Sequence, residues 1–363
     1  MSARIDSFLA IAVEQGASDL HLRAGNVPVV RHEGELVEIP FRTLSDLEAG
    51  SLIDEMLTDE QRDTFRRQRD LDLLYEVPGL GRFRVNCFQL HGGPGAVFRI
   101  IPTRVPSLDD LGLPGAVARL ARLQNGLVLV TGPTGSGKST TLAAIVNEIN
   151  RSLPRHILTI EDPIEYTHVP VRAAITQRQV GRHVGSFAGA LRSALRESPD
   201  VVVVGEMRDS ETMQLALTAA ETGILVLGTL HTSSAAKSVS RIVDGMPESN
   251  QDEVRALLAM LLRGVVAQEL LRKAGSDGRV AVIELLLQTH AVSTMIRDNK
   301  AHLLEGFLES QRPAESGMQS RDTALLRMVR DGLVLPDDAL AIARRPDQLR
   351  LALDALARDE EDA

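Results

Sequence analysis

The sequence predicts an α/β protein with two domains, a larger one built on a parallel sheet and a smaller α+β domain before it. From residue 126 onward, short β-branched runs alternate with segments of helical period, as in strands joined by crossover helices. Residues 1–102 instead alternate polar and apolar positions between short helical stretches. A proline-rich segment without an apolar period separates the two patterns. We therefore place the domains at 1–102 and 116–363, with a linker at 103–115.

Composition narrows the class of protein before any motif is considered. The 363 residues are enough for two domains that each bury a core. With a net charge of −9 and no concentrated basic tract, nucleic acid is not expected as a partner. The single cysteine, Cys87, excludes an internal disulfide and fits a reducing compartment. No signal peptide or bilayer-length apolar run is present, so we expect a cytoplasmic protein that reaches a membrane only through a partner.

Periodicity predicts the elements in order. In the first domain it predicts helices at 5–13, 43–57 and 60–69, with strands at 18–23, 29–31, 35–37, 71–76, 81–90 and 96–101. In the second domain it predicts strands at 126–131, 156–161, 171–175, 201–205, 225–229 and 279–288. Helices are expected after the glycine-rich segment that follows residue 131, and at 187–196, 210–222 and 251–271.

That glycine-rich segment has the composition of a phosphate-binding P-loop. It reads GPTGSGKST and comprises Gly132, Pro133, Thr134, Gly135, Ser136, Gly137, Lys138, Ser139 and Thr140. Its glycines let backbone N–H groups surround an anionic phosphate chain at a helix N-terminus, where the dipole favours negative charge. Lys138 would reach the terminal phosphates, and the Ser139 hydroxyl would bind Mg²⁺. An ordinary glycine-rich turn is disfavoured, because both the motif and its strand and helix flanks match.

Three later strands end in polar side chains suited to nucleotide hydrolysis. Glu161, Asp162 and Glu165 lie at the end of the strand predicted at 156–161, where a carboxylate can orient and deprotonate an attacking water. Glu206 follows a run of four valines, in the place where Mg²⁺ needs a carboxylate. His231 follows the next strand and can hydrogen-bond a γ-phosphate. Taken alone, the three have plainer interpretations: a solvated turn, a helix-capping glutamate and a structural histidine.

Two further features bear on the nucleotide. The nearest match to a guanine-reading Asn/Thr-Lys-x-Asp loop lies at 299–302 and lacks the aspartate, which favours ATP over GTP. Arginines concentrate before the P-loop, at Arg82, Arg84, Arg99 and Arg104. From another domain or subunit, such arginines can supply positive charge to phosphoryl transfer.

Together these segments resemble the secretion ATPase superfamily, and specifically the PilT-like retraction ATPases of type IV pili. The resemblance covers nearly the whole chain and is carried by several stretches. These are SDLHL near the start, GRFRVNCF and AVFRIIP in the first domain, then GPTGSGKSTTLAAI, LTIEDPIEY, VVVVGEMRDSET, ALTAAETG and GTLHTSSAAKSVSRIVD. In the family's terms, the last five stretches are Walker A, the acidic box, Walker B and, for the final two together, the His-box region.

The resemblance implies a RecA-like P-loop ATPase domain behind a PAS-like N-terminal domain, assembled as a homohexamer that acts with an inner-membrane pilus platform protein. By motif, Glu165 matches the catalytic glutamate, Glu206 the Walker B glutamate and His231 the second histidine of the His box. Arg84 and Arg99 match the family's phosphate-facing arginines, which approach the nucleotide from the same or an adjacent subunit.

Two departures from the family pattern concern mechanical coupling. The family usually has Thr-Gly-His where this chain has Ile224 in the last position, so one His-box histidine is missing. The family's Ala-Ile-Arg-Asn-Leu-Ile-Arg segment appears as AVSTMIR at 291–297. This segment keeps the apolar spacing and the last arginine but lacks the first arginine and the asparagine.

Three functions stay open on these grounds. The leading hypothesis is an ATP-driven motor for pilus retraction and twitching motility. The second is an accessory ring component that binds ATP but hydrolyses little beside a paralogous retraction ATPase, which the missing histidine favours. The third is a pilus assembly ATPase, a class that often carries a four-cysteine zinc module and a longer N-terminal region.

Overall fold

In the computed structural model, which describes residues 3–32, 34–101, 104–275 and 278–361, the chain forms two units. They comprise Met1–Arg104 and Val105–Ala363. The predicted end of the first domain at Pro102, and Thr103 after it, lie outside the described residues. Leu108 and Leu113, within the predicted linker, are buried in a core cluster of the second unit.

The first unit is an antiparallel sheet with three helices. The strands are β1 (Asp19–Arg23), β2 (Val29–His32), β3 (Glu35–Glu38), β4 (Asp70–Val77), β5 (Gly81–Leu90) and β6 (Gly93–Ile101), and the helices are α1 (Ile5–Glu14), α2 (Asp46–Met56) and α3 (Asp59–Gln68). The strand order is β3-β2-β1-β6-β5-β4. The α+β character predicted for this region is therefore confirmed.

Local sequence explains where two of these helices begin. The Ser45 hydroxyl accepts from the backbone N–H of Glu48, and the Glu48 carboxylate accepts from the Ser45 N–H, so each satisfies the other. Thr58 and Gln61 form the same reciprocal cap at the start of α3. The core of this unit includes Phe83 and Phe98, both fully buried.

The second unit contains a seven-stranded sheet flanked by helices. In chain order its elements are α4 (Gly115–Ala121), β7 (Gly126–Thr131), α5 (Lys138–Ser152), β8 (His156–Glu161), β9 (Ala174–Gln179), α6 (Phe187–Ala194), β10 (Val201–Val204), α7 (Ser210–Glu221), β11 (Leu225–Leu230), α8 (Ala235–Asp244), α9 (Gln251–Leu261), β12 (Leu262–Arg272), β13 (Arg279–Leu287), α10 (His290–Arg297), α11 (Leu304–Glu309), α12 (Pro313–Ser316), α13 (Arg321–Arg330), α14 (Pro336–Ile342) and α15 (Pro346–Glu361). The strand order is β13-β12-β7-β11-β10-β8-β9. Neighbouring strands run parallel except at the β12–β13 pair.

The centre of this sheet is buried on both faces. Leu127 and Leu129 of β7 belong to one core cluster, whereas Val128 and Val130 belong to another. Because successive side chains of a strand point to opposite faces, the two clusters cover the two sides of the sheet. This arrangement explains why β7, β10 and β11 are continuous apolar runs.

Two predicted elements are wrong. The helix predicted at 251–271 ends at Leu261, and Leu262–Arg272 is strand β12, parallel to β7 and antiparallel to β13. In sequence, a short apolar run that is buried on both faces looks the same whether it is a helix or a strand. Pairing with neighbouring strands therefore decides which of the two forms. The strand predicted at 171–175 instead spans Ala174–Gln179, and Val171 is exposed.

Within the described parts of the chain, none of the helices is both long enough and apolar enough to cross a bilayer.

Candidate functional site

Four parallel strands bring the predicted site segments to one edge of the second sheet. The P-loop follows β7, the acidic segment follows β8, Glu206 lies just beyond β10, and His231 lies directly after β11. Since β7, β11, β10 and β8 are adjacent and parallel, all four carboxyl ends meet at this edge. In open α/β sheets this edge is where ligands bind.

The P-loop has a backbone that its glycines make possible. Gly137 adopts φ 84° immediately before α5, a left-handed conformation that is costly for residues with a Cβ. At Gly132 the φ is 149°, and a Cβ would collide with the Gln268 backbone oxygen and the Ser136 hydroxyl. The loop therefore turns tightly and leads its backbone into the N-terminus of a fifteen-residue helix.

A buried glutamine supports this loop from the neighbouring strand. Gln268 of β12 is 2% exposed, and its Nε2 donates to the Ser136 backbone oxygen at 2.5 Å. Sequence reasoning missed Gln268 because it assigned the segment to a helix, where this side chain would not lie beside the P-loop. The register of β12 with β7 places Ala267, its neighbour, opposite Thr131, the last residue before the loop.

Lys138 lies across its own loop. Its Nζ donates to the backbone oxygens of Gly132 and Pro133, each at 2.9 Å. Burial lowers the pKa of the Lys138 ammonium, while the charges of Glu206 and Glu165 act in the opposite direction. Both predicted carboxylates are thus close enough to interact electrostatically with the P-loop lysine.

Glu206 and His231 are in contact. The His231 Nε2 lies 3.1 Å from Glu206 Oε1, and the same oxygen pairs with Arg208 Nε at 2.6 Å. On its other side, His231 Nδ1 is 3.5 Å from the Thr134 hydroxyl of the P-loop. Burial alone would raise the pKa of Glu206, but the Arg208 hydrogen bond and the charges of Arg208, His231 and Lys138 outweigh it and lower the pKa.

The acidic segment after β8 divides into a structural and an open part. The Glu161 Oε1 accepts hydrogen bonds from Thr159 Oγ1 at 2.7 Å and Gln177 Nε2 at 3.0 Å. Burial raises the pKa of Glu161, and these two hydrogen bonds oppose the rise. Glu161 therefore links the end of β8 to β9. Glu165 is half-buried, at the edge of the sheet where the P-loop lies.

A tyrosine connects this segment to the P-loop helix. The Tyr166 hydroxyl lies 3.0 Å from the Thr140 hydroxyl, and Tyr166 itself is buried. Because Tyr166 follows Glu165 directly, this contact sets where Glu165 lies relative to α5. Sequence reasoning missed Tyr166 and Arg208 as site residues. Tyr166 directly follows Glu165, and Arg208 lies two residues after Glu206.

The remaining predicted residues lie as follows. Pro133, Thr134, Gly135 and Ser139 are exposed at the P-loop and the first turn of α5. Arg84 and Arg99 lie in the first unit, directly opposite each other on β5 and β6. Arg99 Nε pairs with the buried Asp19 at 3.0 Å.

The two departures from the family pattern lie away from this edge. Ile224 immediately precedes β11, whereas His231 follows it, so the two residues are at opposite ends of one strand. The Ile224 side chain packs against the main core cluster. The 291–297 segment forms most of α10, whose Val292 and Ile296 are buried.

This edge of the sheet fits a nucleotide with Mg²⁺. Ser136 lies within the P-loop, and its Oγ is buried without a hydrogen-bond partner. A Cβ at Gly135 would meet no atom within 4 Å, so the loop borders open space. Among the side chains described, no three His, Cys, Asp or Glu cluster as in an all-protein metal site. Mg²⁺ in nucleotide sites is usually held by one or two side-chain oxygens together with the phosphates, and the Ser139 hydroxyl and the Glu206 carboxylate are oxygen donors of that kind.

The fold and the site together define a RecA-like P-loop ATPase with a smaller N-terminal α+β domain. More particularly, the chain belongs to the Type II/IV secretion system protein family, whose pattern matches residues 1–302. It is 46% identical to the type IV pilus retraction ATPase PilT of Pseudomonas aeruginosa, over 94% of this chain and 99% of that one.

Two further comparisons agree. A twitching motility protein of Neisseria gonorrhoeae is 47% identical over 89% of this chain and 86% of its own length. The crystal structure of the pilus retraction motor PilT with bound ADP superposes with a TM-score of 0.88 at 40% identity, covering 96% of this chain and 99% of that one. The predicted family and the predicted fold class are confirmed.

Proposed function

We propose that this chain is a motor that hydrolyses ATP with Mg²⁺ to power retraction of type IV pili, working as a homohexamer. We place it on the cytoplasmic side of the inner membrane, against a pilus platform protein. One observation carries the proposal: the chain is 46% identical, over 94% of its length, to a pilus retraction ATPase, and its P-loop, Glu206 and His231 lie at one edge of the sheet.

Each site residue has a role that follows from its chemistry and place. Lys138 binds the β- and γ-phosphates, exchanging its two backbone acceptors for phosphate oxygens. Ser139 and Glu206 would hold Mg²⁺, which would neutralise phosphate charge when bound. The contacts that lower the pKa of Glu206 favour its ionised form. His231 contacts both Glu206 and the P-loop, a place from which it can respond to the γ-phosphate.

Glu165 is the residue we assign to the attacking water. Of the three acidic residues at the end of β8 and just beyond it, Glu161 is committed to hydrogen bonds with Thr159 and Gln177. Glu165 interacts electrostatically with Lys138 and directly precedes Tyr166, whose hydroxyl contacts Thr140 of α5, so we take its carboxylate to be available near the phosphates. A carboxylate in that place orients the water and accepts its proton.

Arg84 and Arg99 complete the proposed chemistry. As cross-strand neighbours they present two guanidinium groups from adjacent strands, and Arg84 is exposed. Guanidinium groups suit the charge that develops on a transferring phosphoryl group. We assign them to the nucleotide of the same or an adjacent subunit.

The accessory ring component is the second candidate, because Ile224 replaces a His-box histidine. Ile224 lies at the opposite end of β11 from His231, which argues against a direct effect of this substitution on phosphate chemistry. The motor and the accessory component differ in ATP turnover, so an assay of the isolated protein distinguishes them. The assembly ATPase is a weaker third candidate, since one cysteine cannot build a four-cysteine zinc module.

The test is a chromosomal deletion complemented with wild type, Glu165→Gln or the control Glu253→Gln, which changes an exposed glutamate on α9. We expect the deletion to be hyperpiliated and non-motile, and only wild type and Glu253→Gln to restore twitching. The purified Glu165→Gln variant should bind ATP but lose at least about a hundredfold in turnover.

Other outcomes separate the candidates. Loss of surface pili in the deletion would identify an assembly motor. ATP binding without turnover by the purified wild type would favour the accessory component. Hydrolysis by Glu165→Gln at the wild-type rate would remove Glu165 from its assigned role.

A further inference from the structure

The loop that carries His231 is held by two arginines from the C-terminal helical region. Residues 231–234 connect β11 to α8. The backbone oxygen of Ser233 accepts from Arg321 Nη2 at 2.7 Å and from Arg344 Nη2 at 3.2 Å. Arg321 begins α13, and Arg344 lies between α14 and α15. Elements late in the chain therefore fasten a loop of the nucleotide site.

The two arginines are in turn anchored by carboxylates of the sheet. Arg344 pairs with Glu284 of β13 at 3.0 Å, and Arg321 pairs with Glu269 of β12 at 3.0 Å. Glu284 is 2% exposed, and its second oxygen accepts from the Ala235 N–H, the first residue of α8, at 2.8 Å. One buried carboxylate thus holds both Arg344 and the end of the 231–234 loop.

Small movements of this loop matter at the site. Ser233 is two residues from His231, whose Nε2 meets Glu206 at 3.1 Å. Hydrogen bonds weaken steeply as distance and angle depart from the optimum, so a shift of the loop would separate the two side chains.

We propose that Arg344, together with Arg321, is a positioning residue for ATP turnover that keeps His231 against Glu206 by holding the Ser233 backbone. The inference rests on the proposed ATPase function. It adds the C-terminal helices to the parts of the chain that determine the rate of hydrolysis.

The test compares three variants of the full chain. Arg344→Met removes the guanidinium but keeps an apolar stem, and leaves Glu284 buried without its cation. The double variant Glu284→Gln/Arg344→Met removes that stranded charge, since a glutamine oxygen still accepts from Ala235. Arg345→Met is the matched control, because Arg345 pairs with Glu309 at 2.6 Å and its side chain has no contact with the 231–234 loop among the described interactions.

We expect Arg344→Met to lower the kcat for ATP by roughly ten- to a hundredfold with KM unchanged, because Lys138 and Gln268 keep their contacts with the P-loop. The double variant should recover most of the stability that the single variant loses, although the Arg344 contact with Glu305 stays absent, yet it should remain slow. Arg345→Met should match wild type in both measurements. A residue that matters only for stability would instead recover its kcat along with its stability.

A second measurement asks whether the effect passes through the histidine. Added to His231→Gln, the double change should cause no further loss of kcat, because the step it supports is already absent. A stable double variant with wild-type kcat, or losses that multiply with His231→Gln, would overturn the inference. Wild-type protein without turnover would overturn the proposed function as well, which distinguishes the two failures.

Discussion

At the residue scale, the P-loop depends on a side chain from another strand. Gln268 donates to the Ser136 backbone oxygen, and Gly132 turns against the backbone oxygen of Gln268 itself. The loop's shape therefore comes from its glycines and from β12 together. A loop held before the ligand arrives loses less conformational entropy on binding.

Replacing this support should weaken nucleotide binding. We expect Gln268→Leu to raise the Kd for ATP by about three- to tenfold, the equivalent of one lost hydrogen bond. Because the chain has no tryptophan, calorimetry or a fluorescent ATP analogue is the suitable measurement.

Gln319→Leu is the matched control for that experiment. Gln319 is also 2% exposed and donates its Nε2 to a backbone oxygen, that of Ile283, at 2.7 Å. It should lose similar stability without a change in ATP affinity. Equal weakening of ATP binding by both variants would mean that Gln268 has no specific role at the loop.

At the element scale, what could be predicted depended on whether the signal was local. Strands β7 and β8 match their predicted bounds exactly, because glycine, proline and polar residues limit their apolar runs. Glu206 and His231 were found because they follow such strands directly. Leu262–Arg272 was not predicted as a strand, because it becomes one by pairing with β7 and β13, and no local pattern encodes that pairing. Gln268 was lost with it.

The burial of β12 between β13 and β7 has an energetic consequence. Val266 is fully buried and pairs with Val130 of β7. We expect Val266→Ala to cost roughly 2 kcal/mol of unfolding free energy, from lost apolar burial and an unfilled cavity. Urea denaturation measures the change.

Val280→Ala on β13 makes the same chemical change at a half-buried position. Its cost should stay below about 1 kcal/mol. If the two variants were equally destabilised, the burial of β12 could not be the cause.

At the scale of the whole molecule, each unit has core clusters of its own. The first unit's cluster is made from residues 5–98, and those of the second begin at Leu108. The proposed chemistry nevertheless draws on both, with Lys138, Glu165 and Glu206 from one unit and Arg84 and Arg99 from the other. Under this proposal, the residues that form one core are not the same set as the residues that act on one nucleotide.

Separated fragments test this division and the predicted two-domain organisation. We expect residues 1–104 and 105–363 each to fold, as judged by circular dichroism and a cooperative melt. The 105–363 fragment should bind ATP but hydrolyse it at least about tenfold more slowly than the full chain, because Arg84 and Arg99 are missing. Full hydrolysis by that fragment would remove the arginines from the site, and an unfolded 1–104 would contradict the independence of the first unit.

The Glu284–Arg344 pair also constrains how the protein can evolve. Loss of the arginine alone leaves the Glu284 carboxylate buried without the cation it pairs with, and loss of the glutamate alone leaves a guanidinium that is only 20% exposed with Glu305 as its remaining carboxylate partner. A substitution at either position alone is therefore expected to destabilise the folded protein and to be selected against. The two are expected to be inherited as a pair, so a lineage that changes one should carry a compensating change at the other, although sixty residues separate them in the gene.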